Sequence, residues 1–175
     1  MKIIAFVQTL MLFCFFQAKG SGILVQEDVF KAGIAIADVT PKIGVSLSGI
    51  LQKYGAIKKV LDPLKVRALA MNDGVTTLVI VIGDVCVISG EIIEKAKLLA
   101  YTNTGIPPSN MLVAATHTHA APRVANWNVS ELDEEYYTFF ANQIADVIQK
   151  SIENLVPAQI GFGIISKPNY LQNRR

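Results

Sequence analysis

A chain of 175 residues that is 51% hydrophobic and 17% charged is long enough for one domain with a sizeable core. That composition excludes a disordered segment, which cannot bury enough apolar surface to order itself. The formal charge of +2 is too small to gather a phosphate backbone, so nucleic acid is excluded as a partner class.

The first twenty residues stand apart. Met1-Lys2 is a short positive start, and Ile3 to Phe16 is apolar except for Gln8 and Thr9. Ala18 and Gly20 then offer small residues at the −3 and −1 positions of a cleavage site. The pattern predicts a secretory signal peptide over residues 1–20 and a secreted or periplasmic mature chain. An uncleaved anchor is the alternative, although the apolar stretch falls short of the about 20 residues a membrane span needs. Cys14 lies in this stretch behind Phe13, not behind the small residue that lipidation requires. Cys86 is then the single mature thiol, flanked by Val85 and Val87, which predicts a buried free cysteine and no internal disulfide.

Lys31 to Asp38 reads as a strand with Ile34 and Ile36 on one face, stopped at Pro41. Residues 44–55 are rich in Gly and Ser and read as a long irregular loop, and Lys53, Lys58 and Lys59 as a solvated basic face. Residues 64–71 and 75–82 are two apolar, β-branched runs around Asn72-Asp73-Gly74, a strong hairpin signal. The second run is nearly continuous, which predicts a central, buried strand. It ends at Asp84, for which two readings stand: a carboxylate that orients a ligand, or an acceptor for turn amides. Ser89 is a fitting N-cap for a helix to Tyr101, with Ile92, Ile93, Ala96 and Leu99 as its apolar stripe and Gly105 as its stop.

Met111 to Ala115 is an apolar strand, and strand, helix, strand in this order fits a crossover with a parallel pair. Trp127 follows in a loop, either lining a pocket or anchoring the loop. Asn128-Val129-Ser130 is a formal glycosylation sequon. Ser130 reads as the cap of the longest helix, whose buried face is Phe140, Ile144, Val147, Ile148, Ile152 and Leu155. Pro157 ends that helix, and residues 158–165 read as a last strand. The whole predicts an α/β fold, a mixed β-sheet packed with at least two helices.

Both histidines of the chain lie just past the Met111 strand, in Thr116-His117-Thr118-His119. Alternation along an extended chain would turn His117 and His119 to the same side. Two imidazoles together at the carboxyl end of a strand can hold a metal ion. Spacing alone also allows a chance pair, because a metal site needs three or four ligands.

In order along the chain, Ala32-Gly33 with Asp38-Val39-Thr40-Pro41, Gly49, Asp62-Pro63-Leu64 with Arg67-Ala68, Asp84, Gly105-Ile106-Pro107, Ala115-Thr116-His117-Thr118-His119 with Pro122, and Asn173-Arg174-Arg175 resemble the neutral/alkaline (non-lysosomal) ceramidases. The similar part is the N-terminal portion of their catalytic domain, and the Thr-His-Thr-His element is its specific feature. The resemblance implies hydrolysis of the amide bond of N-acylsphingosine, or a related N-acyl amide, with one Zn2+ ion. It implies that His117 is a zinc ligand and that His119 lies beside the metal as a catalytic group. Arg174 or Arg175 is implied more weakly as a polar contact. The implied partner is a ceramide-like lipid, with peripheral contact at a membrane surface.

Two departures bear on this. Ala120-Ala121 stands where the family has Ser-Gly, and the family's remaining ligands (a His, a Glu and a Tyr) and its proposed nucleophilic Ser lie further downstream than Arg175. Residues 21–175 are therefore expected to be an incomplete N-terminal portion, inactive alone. The alternative is a non-catalytic secreted domain that keeps the scaffold and binds lipid or a partner. An unrelated metallohydrolase with His-x-His on its first barrel strand is disfavoured by the hairpin and crossover that precede the motif.

Overall fold

The computed structural model describes residues 29–48, 53–125 and 133–166. Strands β1 (Lys31–Asp38), β4 (Lys65–Asn72), β5 (Thr77–Gly83), β6 (Met111–Ala115) and β8 (Val156–Pro157) form a sheet in the order β6-β5-β4-β1-β8. A second, small sheet is built from β2 (Ser46–Ser48), β3 (Lys53–Ala56) and β7 (Ala121–Pro122), with β2 in the middle. Helices α1 (Gly90–Thr104) and α2 (Glu134–Glu153) pack together, α2 against β1, β4 and β5. This is the mixed α/β architecture expected, since β5 and β6 are parallel and the remaining pairs antiparallel.

Local chemistry accounts for the hairpin. The Asp73 carboxylate accepts from the Val75 and Thr76 amides, Asn72 Oδ1 accepts from the Gly74 amide, and Gly74 takes a positive φ of 95°. The crossover helix starts at Ser89, whose Oγ accepts from Ile92 N, and stops at Gly105 with φ 72°. It runs to Thr104, three residues past Tyr101, and buries Ile92, Ala96 and Ala100, so Ala100 takes the inner place expected for Leu99.

The covered face of the large sheet carries Gly, Ala and Val in cross-strand rows, with Met111 on the edge strand. Gly33, Ala70, Val79 and Met111 form one row, and Ala35, Ala68, Val81 and Val113 the next. Phe140, Ile144, Val147 and Ile148 of α2 lie fully buried over them. The fit is tight at Gly33, where a Cβ would sit 2.1 Å from the Ser151 carbonyl oxygen. Phe140 likewise occupies the space over Gly83, its ring 2.8 Å from where a Cβ would stand. Tyr136 adds a tie by donating from its hydroxyl to the Val39 carbonyl at 2.7 Å.

Several expectations are corrected. β5 is central but buried on one face only. Ile34 and Ile36 do share a face, and it is the uncovered one, where they are 64% and 61% exposed. Residues 44–55 are not all loop: they include β2 and β3, which acquire order by pairing with each other and with β7. Asp133, not Ser130, caps α2, its side chain accepting from Tyr136 N. Residues 158–165 form no strand, because pairing on β1 is confined to Val156 and Pro157. The leader at 1–20 with Cys14, and Gly49, Trp127, the Asn128 sequon, Ser130 and Asn173-Arg174-Arg175, lie outside the described residues. Among the described residues no helix is long and apolar enough to cross a membrane.

Candidate metal centre

β6 ends at Ala115, but its backbone keeps to its parallel neighbour for two more residues. Thr116 N donates to the Gly83 carbonyl and His117 N to the Val85 carbonyl, each at 3.0 Å. His117 itself has φ 63°, the left-handed region that costs a side-chain-bearing residue strain and persists only where its surroundings enforce it. The two amide hydrogen bonds supply that enforcement. The strand therefore breaks at His117, and strand alternation does not orient the pair as expected. The turn does bring the imidazoles together, with ring centroids 5.0 Å apart and planes at 80°, both exposed to solvent.

His117 Nδ1 lies 2.8 Å from the Cys86 carbonyl oxygen. A carbonyl only accepts, so Nδ1 carries the proton and donates it, which leaves the Nε2 lone pair free. This is the outer-shell bond that commonly fixes the tautomer of a metal-binding histidine. Cys86 Sγ stands 3.8 Å from the same Nδ1. Because that nitrogen already donates to the carbonyl, it cannot take the thiol proton, and burial pushes the Cys86 thiol up from its ordinary pKa. The pair is thus poorly arranged as a thiolate–imidazolium nucleophile. As a donor set it fits a metal ion: Cys86, His117 and His119 each offer one ligand atom, all within 4.8 Å of one another.

Sequence reasoning placed Cys86 in the core, and it is indeed buried. What that reasoning missed is its nearness to the histidines. The available signal was its position three residues past the end of β5, at the carboxyl edge of the strand that pairs in parallel with β6. Asp84 resolves the other way. Its Oδ2 accepts from Lys65 N at 2.9 Å and from Arg67 Nη1 at 2.8 Å, so the carboxylate ties β4 to β5.

The loop that carries His119 closes under the small sheet, where Pro122 and Ala121 pair with Leu47 and Ser48. Ala121, at the family's glycine position, is fully buried. Beside Thr118 and Ala120 opens a cavity of about 370 Å³ with Leu47, Ile57, Leu61 and Leu64 in its walls and Lys59 and Asp62 at its polar part.

The fold has solved counterparts. It is similar to a neutral ceramidase from Pseudomonas aeruginosa, with a TM-score of 0.64 and 22% identity over 74% of this chain. It is similar also to a ceramidase complexed with C2, with a TM-score of 0.62 and 22% identity over the same share. In both cases the match covers 22% of the solved chain, so the chain spans about a fifth of those proteins. At this identity the likeness establishes a ceramidase-like scaffold. No family model matches the sequence, and no curated protein does.

Proposed function

We propose that residues 21–175 are the N-terminal portion of a secreted zinc-dependent amidohydrolase of the neutral ceramidase type, with residues 1–20 as its signal peptide. The substrate is ceramide or a related N-acyl amide. His117 is the zinc ligand, through Nε2, and His119 is the catalytic group beside it. A bound zinc ion supplies Lewis acidity toward an amide carbonyl and activates water near neutral pH. The protein's own part is to hold the His117 ring fixed through the Cys86 carbonyl and to keep the His119 imidazole where it can move a proton or donate a hydrogen bond to a developing oxyanion. The neighbouring apolar cavity suits an acyl chain, and its approach from a membrane surface is the implied route.

The observation that carries this reading is the pair of adjacent, solvent-open imidazoles at the carboxyl end of β6, one with its Nδ1 locked to a backbone carbonyl. The incompleteness is supported by the coverage of about a fifth and by a sheet face that bears apolar side chains without a layer over it among the described residues. That same bare face favours the second reading, a non-catalytic domain that keeps the scaffold and binds lipid or a partner.

Expression of the open reading frame as it continues past codon 175, with zinc, tests the choice. The enzyme reading expects cleavage of a fluorescent N-acyl sphingosine, lost with chelator and lowered about 10²–10⁴-fold in kcat by His119→Ala. It expects no turnover from the 175-residue chain alone. Chelator-sensitive turnover by that short chain would refute its incompleteness, and a stop codon after Arg175 with lipid binding but no hydrolysis would establish the second reading.

A further inference from the structure

We infer that Cys86 is itself a metal ligand, its thiolate gripping the same cation as His117. The inference rests on the reading of His117 as a ligand and adds a donor which that reading does not include. The two residues reach one point from two strands paired in parallel: Cys86 lies just past β5 and His117 just past β6, and hydrogen bonds from the Thr116 and His117 amides to the Gly83 and Val85 carbonyls hold the two tails side by side. The backbone carbonyl of Cys86 orients the His117 ring, so one residue both aims the imidazole and offers sulfur next to it.

The distances suit the role. Zinc–sulfur and zinc–nitrogen bond lengths set sulfur and nitrogen donors roughly 3.5 Å apart around a tetrahedral ion. Cys86 Sγ, one ring nitrogen of His117 and one of His119 all fall within 4.8 Å of one another, near that spacing. His119 stands near enough to close the set or to face a substrate. Binding converts the thiol to a thiolate and releases one proton to solvent. A sulfur and nitrogen set selects zinc-like ions over magnesium and calcium, which take oxygen donors.

The probe is Co2+ alone, titrated into the 175-residue chain carrying Cys14→Ser, in which Cys86 is the only thiol. The expected result is a sulfur-to-metal charge-transfer band that rises with binding and survives His119→Ala. Cys86→Ser is expected to remove the band and weaken Co2+ binding by about 100-fold or more, beyond what loss of an outer-shell partner costs. Co2+ binding without that band, unchanged by Cys86→Ser and lost with His117→Ala, would overturn the role of Cys86 and leave that of His117 standing. No Co2+ binding at all would overturn both. Should Cys86→Ser fail to fold, alkylation of Cys86 in the parent provides the second measurement. Co2+ should slow it by at least about tenfold, and an unchanged rate would refute the inference.

Discussion

The two faces of the five-stranded sheet are both apolar, and they differ in side-chain size and in cover. Toward α2 the rows read Gly33-Ala70-Val79-Met111 and Ala35-Ala68-Val81-Val113, nearly all buried. On the opposite face the rows read Ile34-Leu69-Ile80-Leu112 and Ile36-Arg67-Ile82-Ala114, and Ile34, Ile36 and Leu112 are more than half exposed. Small residues mark the face where a helix backbone comes close. Large aliphatic residues mark the face that has no layer over it among the described residues. Each such side chain is worth about 1.5–3 kcal/mol when fully buried, so covering this face would contribute more than a surface normally can.

Denaturant unfolding of single variants sets the faces against each other. Phe140→Ala removes the ring that packs on Gly83 and is expected to cost about 3–5 kcal/mol. Gly33→Ala adds one methyl where the Ser151 carbonyl already stands and should cost about 1–3 kcal/mol or more through forced separation of β1 and α2. Ile34→Thr, one residue away on the other face, should change stability by no more than about 0.5 kcal/mol while lowering binding of a hydrophobic dye. A cost for Ile34→Thr as large as that of Gly33→Ala would mean that the uncovered face is buried in solution, and the contrast would fail.

The smallest effect lies at the charged border of the bare face. Asp38 pairs with Lys65 and accepts from Thr40 N, and these hydrogen bonds, Lys65 first, draw its carboxyl from the ordinary 3.8 down to about 2. A carboxylate depressed in the folded state stabilises above its unfolded value, and that contribution is lost as the pH falls through the folded one. Stability attributable to Asp38 is therefore complete above about pH 4 and gone near pH 2. Because the Asp38 side chain is 55% exposed, solvent screening keeps the loss small, and Asp38→Asn should flatten the stability profile between those limits.

Elements defined by neighbouring residues were legible in the sequence. Asn72-Asp73-Gly74 carries its own turn acceptors, and Ser89 and Gly105 carry the two ends of α1. The crossover that sets β6 beside β5 followed from the order of these elements. Elements defined by distant partners were not. β2 owes its order to β7, more than seventy residues on in sequence, and strands of two to four residues have no periodicity to read. Alternation of apolar residues on both faces of β1 gives no sign of which face the helix takes. The histidine pair was visible as a motif, but its geometry depends on a left-handed residue anchored across to Val85. The nearness of Cys86 depends on the register of β5 with β6, which spacing does not encode.

The hydroxyl of Tyr136 reaches a carbonyl 97 positions earlier, and the rest of α2 spans a similar separation to β1. On a translating ribosome β1 would wait roughly 5–20 s for the helix that shields it. During that interval both sides of the nascent sheet are greasy and open. A polypeptide that cannot close until its later half emerges leaves its apolar strands open to other chains for that interval.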